Sequence, residues 1–303
     1  MTTTVLVPHE QGVAALSGLP GVWSLRYDPD AVLPPGAQRA EVLVAPLFGG
    51  ARPELVGSLP RLRLVQLLTA GYESWSGQVP DGVVLSTARG AHGGSTAEWV
   101  LAVLLALHRD LPRFVRAQDA CHWDHHPTST LLGSRVLVLG AGDVARQIAR
   151  RLEPFEVTAT LVGRRARDGV RGLDELPDLL GGHDAVVLAL PHTRATTGLV
   201  DAAFLARMPD GAVLVNAARG PVVRTDALLA ELASGRLRAA LDVTEPEPLP
   251  ADHPLWRAPG VLITPHVGGG VDGAMERAFA VAAEQIAAFA RGEDPPNLVD
   301  QGN

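Results

Sequence analysis

Short apolar, β-rich runs recur along this chain with stretches of helical character between them, five in the first hundred residues and six after residue 135. They fall at residues 5–7, 25–27, 42–45, 64–68 and 83–85, then at 136–139, 158–162, 185–189, 212–216, 239–242 and 261–264. Strands that alternate with helices build βαβ units, and βαβ units build parallel sheets. With 303 residues, more than one ordinary domain holds, the predicted fold class is α/β, as two doubly wound parallel-sheet domains. Between the two sets of runs, residues 95–118 contain a segment from Trp99 that is apolar nearly all round, the pattern of a long buried helix joining the domains. A second helical stretch rich in alanine, residues 275–291, follows the last run and can return to the first domain.

Composition narrows the chemistry. All 26 residues counted as Lys plus Arg are Arg, which excludes a Walker-A lysine and Schiff-base chemistry on a protein lysine. The formal charge of −7 without a basic run argues against a nucleic-acid partner, so a small anionic substrate has to be caught by local arginines. The longest strongly apolar stretch, residues 100–107, is far short of the ~20 residues of a spanning helix, so no membrane association is expected. Cys121 is the sole cysteine, which excludes an internal disulfide and a cysteine-cage zinc site and fits a reducing compartment. With no basic secretory segment at the start, a cytoplasmic protein is expected.

The most specific turn follows residue 135. Arg135-Val-Leu-Val-Leu runs into Gly140-x-Gly142-x-x-Ala145 and then into a helical stretch. In that strand-turn-helix context Gly140 allows the tight turn and Gly142 lets the backbone approach a pyrophosphate. The small Ala145 lets helix and strand pack, and the amides around Asp143 and Val144 open the helix toward the phosphates. About 20 residues on, where NAD sites usually carry an acid for the ribose hydroxyls, the chain reads Gly163-Arg164-Arg165, with no acid until Asp168. Two guanidiniums there suit a 2′-phosphate, so NADP(H) is the preferred cofactor and NAD(H) a possible one; the other reading of the pair is a solvated turn.

Three further residues each stand just past an apolar run: Arg219, Glu247 in a proline-rich loop, and His266. Open α/β sheets bind ligands at the carboxyl ends of their strands. Reduction of a 2-keto acid places negative charge on the carbonyl oxygen, which a protonated histidine can neutralise; a neighbouring carboxylate favours that imidazolium, and an arginine can grip the substrate carboxylate with two hydrogen bonds. Taken singly, each of the three also reads as structural: a surface ion pair, a loop carboxylate, a strand-end histidine.

Asn216-Ala-Ala-Arg219-Gly220, Asp242-Val-Thr-Glu-Pro-Glu247-Pro-Leu-Pro, His253-Pro-Leu-Trp256 and Thr264-Pro-His266-Val-Gly-Gly, in this order and spacing, resemble successive motifs of the D-isomer-specific 2-hydroxyacid dehydrogenases. The resemblance extends over nearly the whole chain and is greatest toward the glyoxylate/hydroxypyruvate reductase branch. It implies Arg219 as the substrate-binding arginine, Glu247 as the partner carboxylate and His266 as general acid/base. It further implies cofactor contacts at Thr96, Pro191, Ala217, Asp242, His266 and Gly268, and a substrate loop in which the backbone of Ala70, Gly71 and Tyr72 holds the carboxylate. The domains implied are a discontinuous, flavodoxin-like substrate domain, residues 1–96 and 271–303, and a Rossmann dinucleotide-binding domain, residues 97–270. A homodimer is expected on the same ground. The chain departs from the family pattern at Tyr72-Glu73 and at Gly270-Val271-Asp272, near the substrate.

The expected reaction is transfer of a hydride from NAD(P)H to a small 2-keto acid, giving a D-2-hydroxy acid. The alternatives are a nicotinamide-sensing interaction protein of the corepressor type and a dehydrogenase for larger 2-keto acids. The cluster Cys121-His122-Trp123-Asp124-His125-His126 reads as a solvated turn and not as a metal site, because its tight, mixed spacing matches no tetrahedral pattern. Trp256 could either cover the substrate or anchor its own loop.

Overall fold

The computed structural model describes residues 2–47 and 52–299. In chain order the elements are β1 Thr3–Val7, α1 Glu10–Leu16, β2 Val22–Arg26, β3 Val42–Val44, α2 Pro53–Gly57, β4 Leu64–Gln66, β5 Val84–Ser86, α3 Gly93–His108 and α4 Leu111–Asp119. There follow β6 Arg135–Leu139, α5 Asp143–Leu152, β7 Thr158–Gly163, β8 Val170–Gly172, α6 Leu176–Leu179, β9 Ala185–Leu188, α7 Ala202–Leu205 and β10 Val213–Asn216. The last are α8 Thr225–Ala233, β11 Arg238–Leu241, β12 Val261–Ile263 and α9 Ala274–Ala290. The chain separates into two compact units, residues 1–92 with 272–303 and residues 93–271.

In the first unit the strands pair in the order β2-β1-β3-β4-β5, all parallel, which is the flavodoxin-like doubly wound order. Alternate residues of each strand enter separate cores. Val5, Val7, Val42 and Val44 pack with Ala278, Phe279, Ala282 and Ile286 of α9, while Leu6, Leu43 and Val65 pack with Tyr27 and Trp75 on the other face.

In the second unit seven parallel strands run β12-β11-β10-β9-β6-β7-β8. The order reverses between β9 and β6, so this is a Rossmann sheet with a switch point at the β6 edge. Val136 and Val138 face α3 and α5 together with Val187, Val213 and Val215, whereas Leu137 and Leu139 face Phe204, Leu205, Leu228 and Leu232 on the opposite side. Both faces being covered, these strands are near-continuous apolar runs, the reason they stand out in the sequence. No helix among the described residues is long and apolar enough to cross a membrane.

Three elements differ from the pattern reading. The run at 25–27 belongs to a strand that begins at Val22, because β2 is an edge strand pairing Thr3 with Val22 through Val7 with Arg26, and its exposed Trp23 interrupts the apolar signal. The three-residue β8, also at an edge, carries one buried apolar residue, Val170, and leaves no periodic trace. The single helix expected over 95–118 is two, α3 and α4. Asp110 takes a left-handed conformation (φ 47°) and Pro112 follows in the first turn of α4, where it has no amide to continue the α3 ladder. All the buried residues of this pair of helices are in α3; α4 buries none.

Candidate active site

Six adjacent strands of the second unit, from β12 to β7, end on one edge, and the sequence candidates follow those ends in order. His266 and Gly268 follow β12, Asp242 and Glu247 follow β11, and Ala217 and Arg219 follow β10. Pro191 follows β9, the glycine turn follows β6, and Arg164 with Arg165 follows β7.

The turn after β6 is built for close approach. Gly140 has φ 141° and its amide donates to Val162 O (2.8 Å); a Cβ on it would run into the backbone carbonyl of Ala189, so only glycine brings this turn against the end of β9. Gly142 caps α5 at its N-terminus and is exposed, and a Cβ there would meet nothing within 4 Å, so the space before the helix is open. Asp143 and Val144 open the first turn, whose amides have no partner inside the helix, and Ala145 is fully buried behind them. These residues fit a dinucleotide pyrophosphate: open space, amide donors and the positive end of a ten-residue helix.

Arg164 and Arg165 are exposed immediately past β7, and among the described residues neither guanidinium has a partner. The pattern reading passed over Arg167, in the same turn, whose Nη2 donates to the carbonyl of Ala141 (3.3 Å) inside the glycine turn. The signal was present as a third arginine within four residues. Pro191 is exposed and its carbonyl accepts from Thr196 Oγ1 (2.8 Å); the amide of Ala217 donates to Leu188 O (3.2 Å), tying the end of β10 to β9. Thr96 lies half-buried in the first turn of α3.

The Arg219 turn is shaped from beneath by Asn216, which is 1% exposed. Its Nδ2 donates to Arg219 O (3.0 Å) and its Oδ1 accepts from the Ala218 amide (3.0 Å), while Arg219 Nη1 donates to Ala218 O (2.7 Å). Thr225 Oγ1 donates to Glu245 O (3.1 Å), joining the segment after Arg219 to the loop that carries Glu247.

On the far side of that loop the imidazole Nδ1 of His266 meets Glu247 Oε1 at 2.6 Å. A carboxylate oxygen accepts, so Nδ1 carries a proton and Nε2 is the nitrogen left to face a substrate. The pair is half-exposed (48% and 40%), where an ion pair contributes at most about 1 kcal/mol to stability; the contact serves to orient the ring.

Asp242 is buried, and its carboxylate is spent on the His266 turn: it accepts from Thr264 Oγ1 (2.6 Å), Val267 N (2.9 Å) and Gly268 N (2.8 Å). A Cβ on Gly268 would come within 2.9 Å of Asp242 Oδ2, so this glycine is fitted to the carboxylate beneath it. Trp256 Nε1 donates to Pro250 O (2.8 Å), which makes this indole an anchor of its own loop.

Ala70, Gly71 and Tyr72 belong to the first unit, in the loop after β4. Thr69 Oγ1 donates to Gly71 O (2.7 Å) and His92 Nε2 bonds Leu68 O (2.8 Å), which fixes the loop. The amides of Ala70, Gly71 and Tyr72 find no acceptor among the described residues, so one loop carries three amides without an internal acceptor there. The Cys121–His126 stretch is engaged with α4 and its N-cap: Arg113 grips Asp124 through Nε (2.6 Å) and Nη2 (3.0 Å), and the His126 ring stacks on Phe114 and reaches Asp110 (3.1 Å).

A sequence profile of the NAD binding domain of the D-isomer specific 2-hydroxyacid dehydrogenases matches residues 101–268. The chain belongs to that family, and it is an NAD(P)-dependent oxidoreductase. The glyoxylate reductase of Pyrococcus horikoshii is 32% identical over 292 residues, which span 90% of this chain and 86% of the relative. Among solved structures, a D-isomer specific 2-hydroxyacid dehydrogenase from Xanthobacter autotrophicus, in complex with NADPH and MES, superposes with a TM-score of 0.85 at 32% identity, covering 98% of each chain. The NADPH-dependent glyoxylate/hydroxypyruvate reductase of Sinorhizobium meliloti, in complex with NADP and sulfate, does so with a TM-score of 0.84 at 26% identity, covering 99% of each.

Proposed function

We propose that this protein reduces small 2-keto acids of the glyoxylate and hydroxypyruvate type to D-2-hydroxy acids, with NADPH as the preferred cofactor. The observation that carries the reading is the 2.6 Å contact between His266 Nδ1 and Glu247 Oε1, one strand from the Arg219 turn. The glycine turn, the amides that open α5 and the arginines past β7 would hold the nicotinamide dinucleotide, which when bound would supply the hydride. Thr96, Pro191, Ala217, Asp242 and Gly268 would complete its surroundings.

The chain's own work is binding and proton transfer. Arg219 takes the substrate carboxylate through paired hydrogen bonds, which fixes the keto carbon in one orientation; the amides of Ala70, Gly71 and Tyr72, in the first unit, are donors of the kind that suit a carboxylate. His266, its ring held through Nδ1 by Glu247, gives the Nε2 proton to the keto oxygen as negative charge gathers there; in the reverse direction it takes the proton from the hydroxyl. The preference for NADPH rests on Arg164 and Arg165, two guanidiniums with no partner among the described residues, at the strand end where NADP sites place the 2′-phosphate. The two structural relatives that hold NADPH or NADP support it.

The same reading includes a homodimer. Leu111 (49% exposed), Val115 (57%), Trp123 (90%) and Leu132 (61%) are large apolar side chains left to water between residues 111 and 132 of the second unit, side chains that a partner subunit could cover.

The deciding measurement is steady-state oxidation of NADPH and NADH against glyoxylate, hydroxypyruvate, pyruvate and a bulky aryl keto acid, with the chirality of the product determined. Turnover of the first two with NADPH, and a D-hydroxy acid from hydroxypyruvate, is the expected result. Turnover of bulky or non-acid carbonyls alone would overturn the substrate assignment.

A further inference from the structure

The edge of the second sheet opposite the candidate active site carries a cavity of about 450 Å³. It lies where β11 begins at Arg238 and β12 begins just after Gly260, and it is walled by α4 and by the short turn that holds Trp256 and Arg257. Four arginines are among the residues that line it, Arg113, Arg116, Arg238 and Arg257, with Asp110 as the one acidic residue of the lining.

Two of the four are already employed. Arg113 is clamped on Asp124, and Arg238 donates to the carbonyls of Leu107 (2.6 Å) and Gly211 (3.3 Å), with Asp110 at 4.0 Å. Arg116 and Arg257 are exposed and have no hydrogen-bond or ion-pair partner among the described residues. In a chain whose net charge is −7, with carboxylates to spare for surface pairing, two unpaired guanidiniums that share one concavity with two paired ones form a local positive well. Guanidinium forks match phosphate oxygens two at a time, and the indole of Trp256 gives the cavity an aromatic wall beside them. The apolar residues of α4 named above, Leu111 and Val115, lie on another stripe of the helix from Pro112 and Arg116, which line the cavity, so both surfaces can be used at once.

We propose that this cavity is a binding site for a phosphate-bearing small molecule, distinct from the dinucleotide site, with Arg116 and Arg257 as the phosphate ligands. The strands that start at its floor, β11 and β12, end at Leu241 and Ile263, just before Asp242 and three residues before His266, so a ligand there is joined to the opposite edge by short rigid elements.

The test is calorimetric titration of the full chain with inorganic pyrophosphate at physiological ionic strength, in the wild type and in R116Q/R257Q, R116K/R257K and R164Q/R165Q. Saturable binding that survives R164Q/R165Q but weakens by about tenfold or more in R116Q/R257Q is expected, the scale of one or more charge-assisted hydrogen bonds. R116K/R257K should fall between, because an ammonium keeps the charge and loses the fork. The proposal is overturned if pyrophosphate shows no saturable binding, or if R116Q/R257Q titrates like the wild type. It stands apart from the substrate assignment, since none of these readouts is turnover.

Discussion

His266 is held at φ 55°, a left-handed backbone that a non-glycine residue adopts at a cost of roughly 1 kcal/mol or more. The cost is met by Asp242, whose backbone carbonyl accepts the His266 amide (2.8 Å) and whose carboxylate receives the Thr264 hydroxyl and the two amides beyond. Such local strain, over-determined by its surroundings, is a mark of sites where a side chain must be aimed. Replacing His266 with Gln removes the proposed proton donor and leaves the turn, so kcat for keto-acid reduction should fall by ~10² or more while the dissociation constant for NADPH, followed by nucleotide fluorescence, hardly moves. Near-wild-type turnover would take His266 out of the mechanism. Asn and Thr at a strand end have many uses, so the sequence does not mark Asn216 or Thr264; their partners, Arg219 O and Asp242 Oδ1, show them shaping the two turns.

At the scale of elements, the edge of the second sheet works because parallel strands all deliver their loops to the same side. The proposed NADPH preference belongs to the end of β7, whose two guanidiniums, without a partner among the described residues, would meet only NADPH with a phosphate to bind. In R164Q/R165Q the KM for NADPH should therefore rise by about tenfold or more, and the KM for NADH should change little. A wild-type enzyme that already uses NADH more efficiently would refute the arginine argument. The apolar runs made the strand-helix alternation legible, and with it the class of fold, because strands covered on both faces cannot be disguised. The edge strand β2 and the short β8 were not fully legible, since half-exposed strands need no continuous apolar pattern, and the break at Asp110 was hidden because a left-handed aspartate leaves no periodic mark.

Taken as a whole, the molecule has a built-in acid sensitivity away from the site. His108, whose Nδ1 donates to Leu104 O, and His183, whose Nδ1 donates to Leu179 O while Nε2 meets Thr160, are both buried, and burial holds each imidazole below the ordinary histidine value of 6.5. The unfolded chain then binds more protons than the folded one below that value. Stability is complete above about pH 6.5 and is lost as pH falls further, by up to about 1.4 kcal/mol per pH unit for each histidine. The melting temperature should drop between pH 7 and pH 5, and H108Q/H183Q should flatten that slope; an equal slope in the variant would place the sensitivity elsewhere. Oligomeric state belongs to the same scale. Trp123→Asp should convert the proposed dimer to monomer in sedimentation velocity, whereas a wild type that sediments as a monomer would remove the dimer.

By itself the sequence determined the fold class and the kind of chemistry, because hydrophobic periodicity, a glycine turn and the residue types that bind carboxylates and move protons are local properties, readable one segment at a time. Which strands became neighbours was not local. The order β12-β11-β10-β9-β6-β7 sets Arg219, Glu247 and His266 on three adjacent strand ends, and that order arises from crossovers joining segments dozens of residues apart. The nitrogen of His266 that meets Glu247, the commitment of Asp242 to the turn above it, and the four arginines brought from α4, β11 and the Trp256 turn around one cavity were likewise decided only in three dimensions. A side chain's partner is a property of packing, and packing is settled by the whole sheet at once.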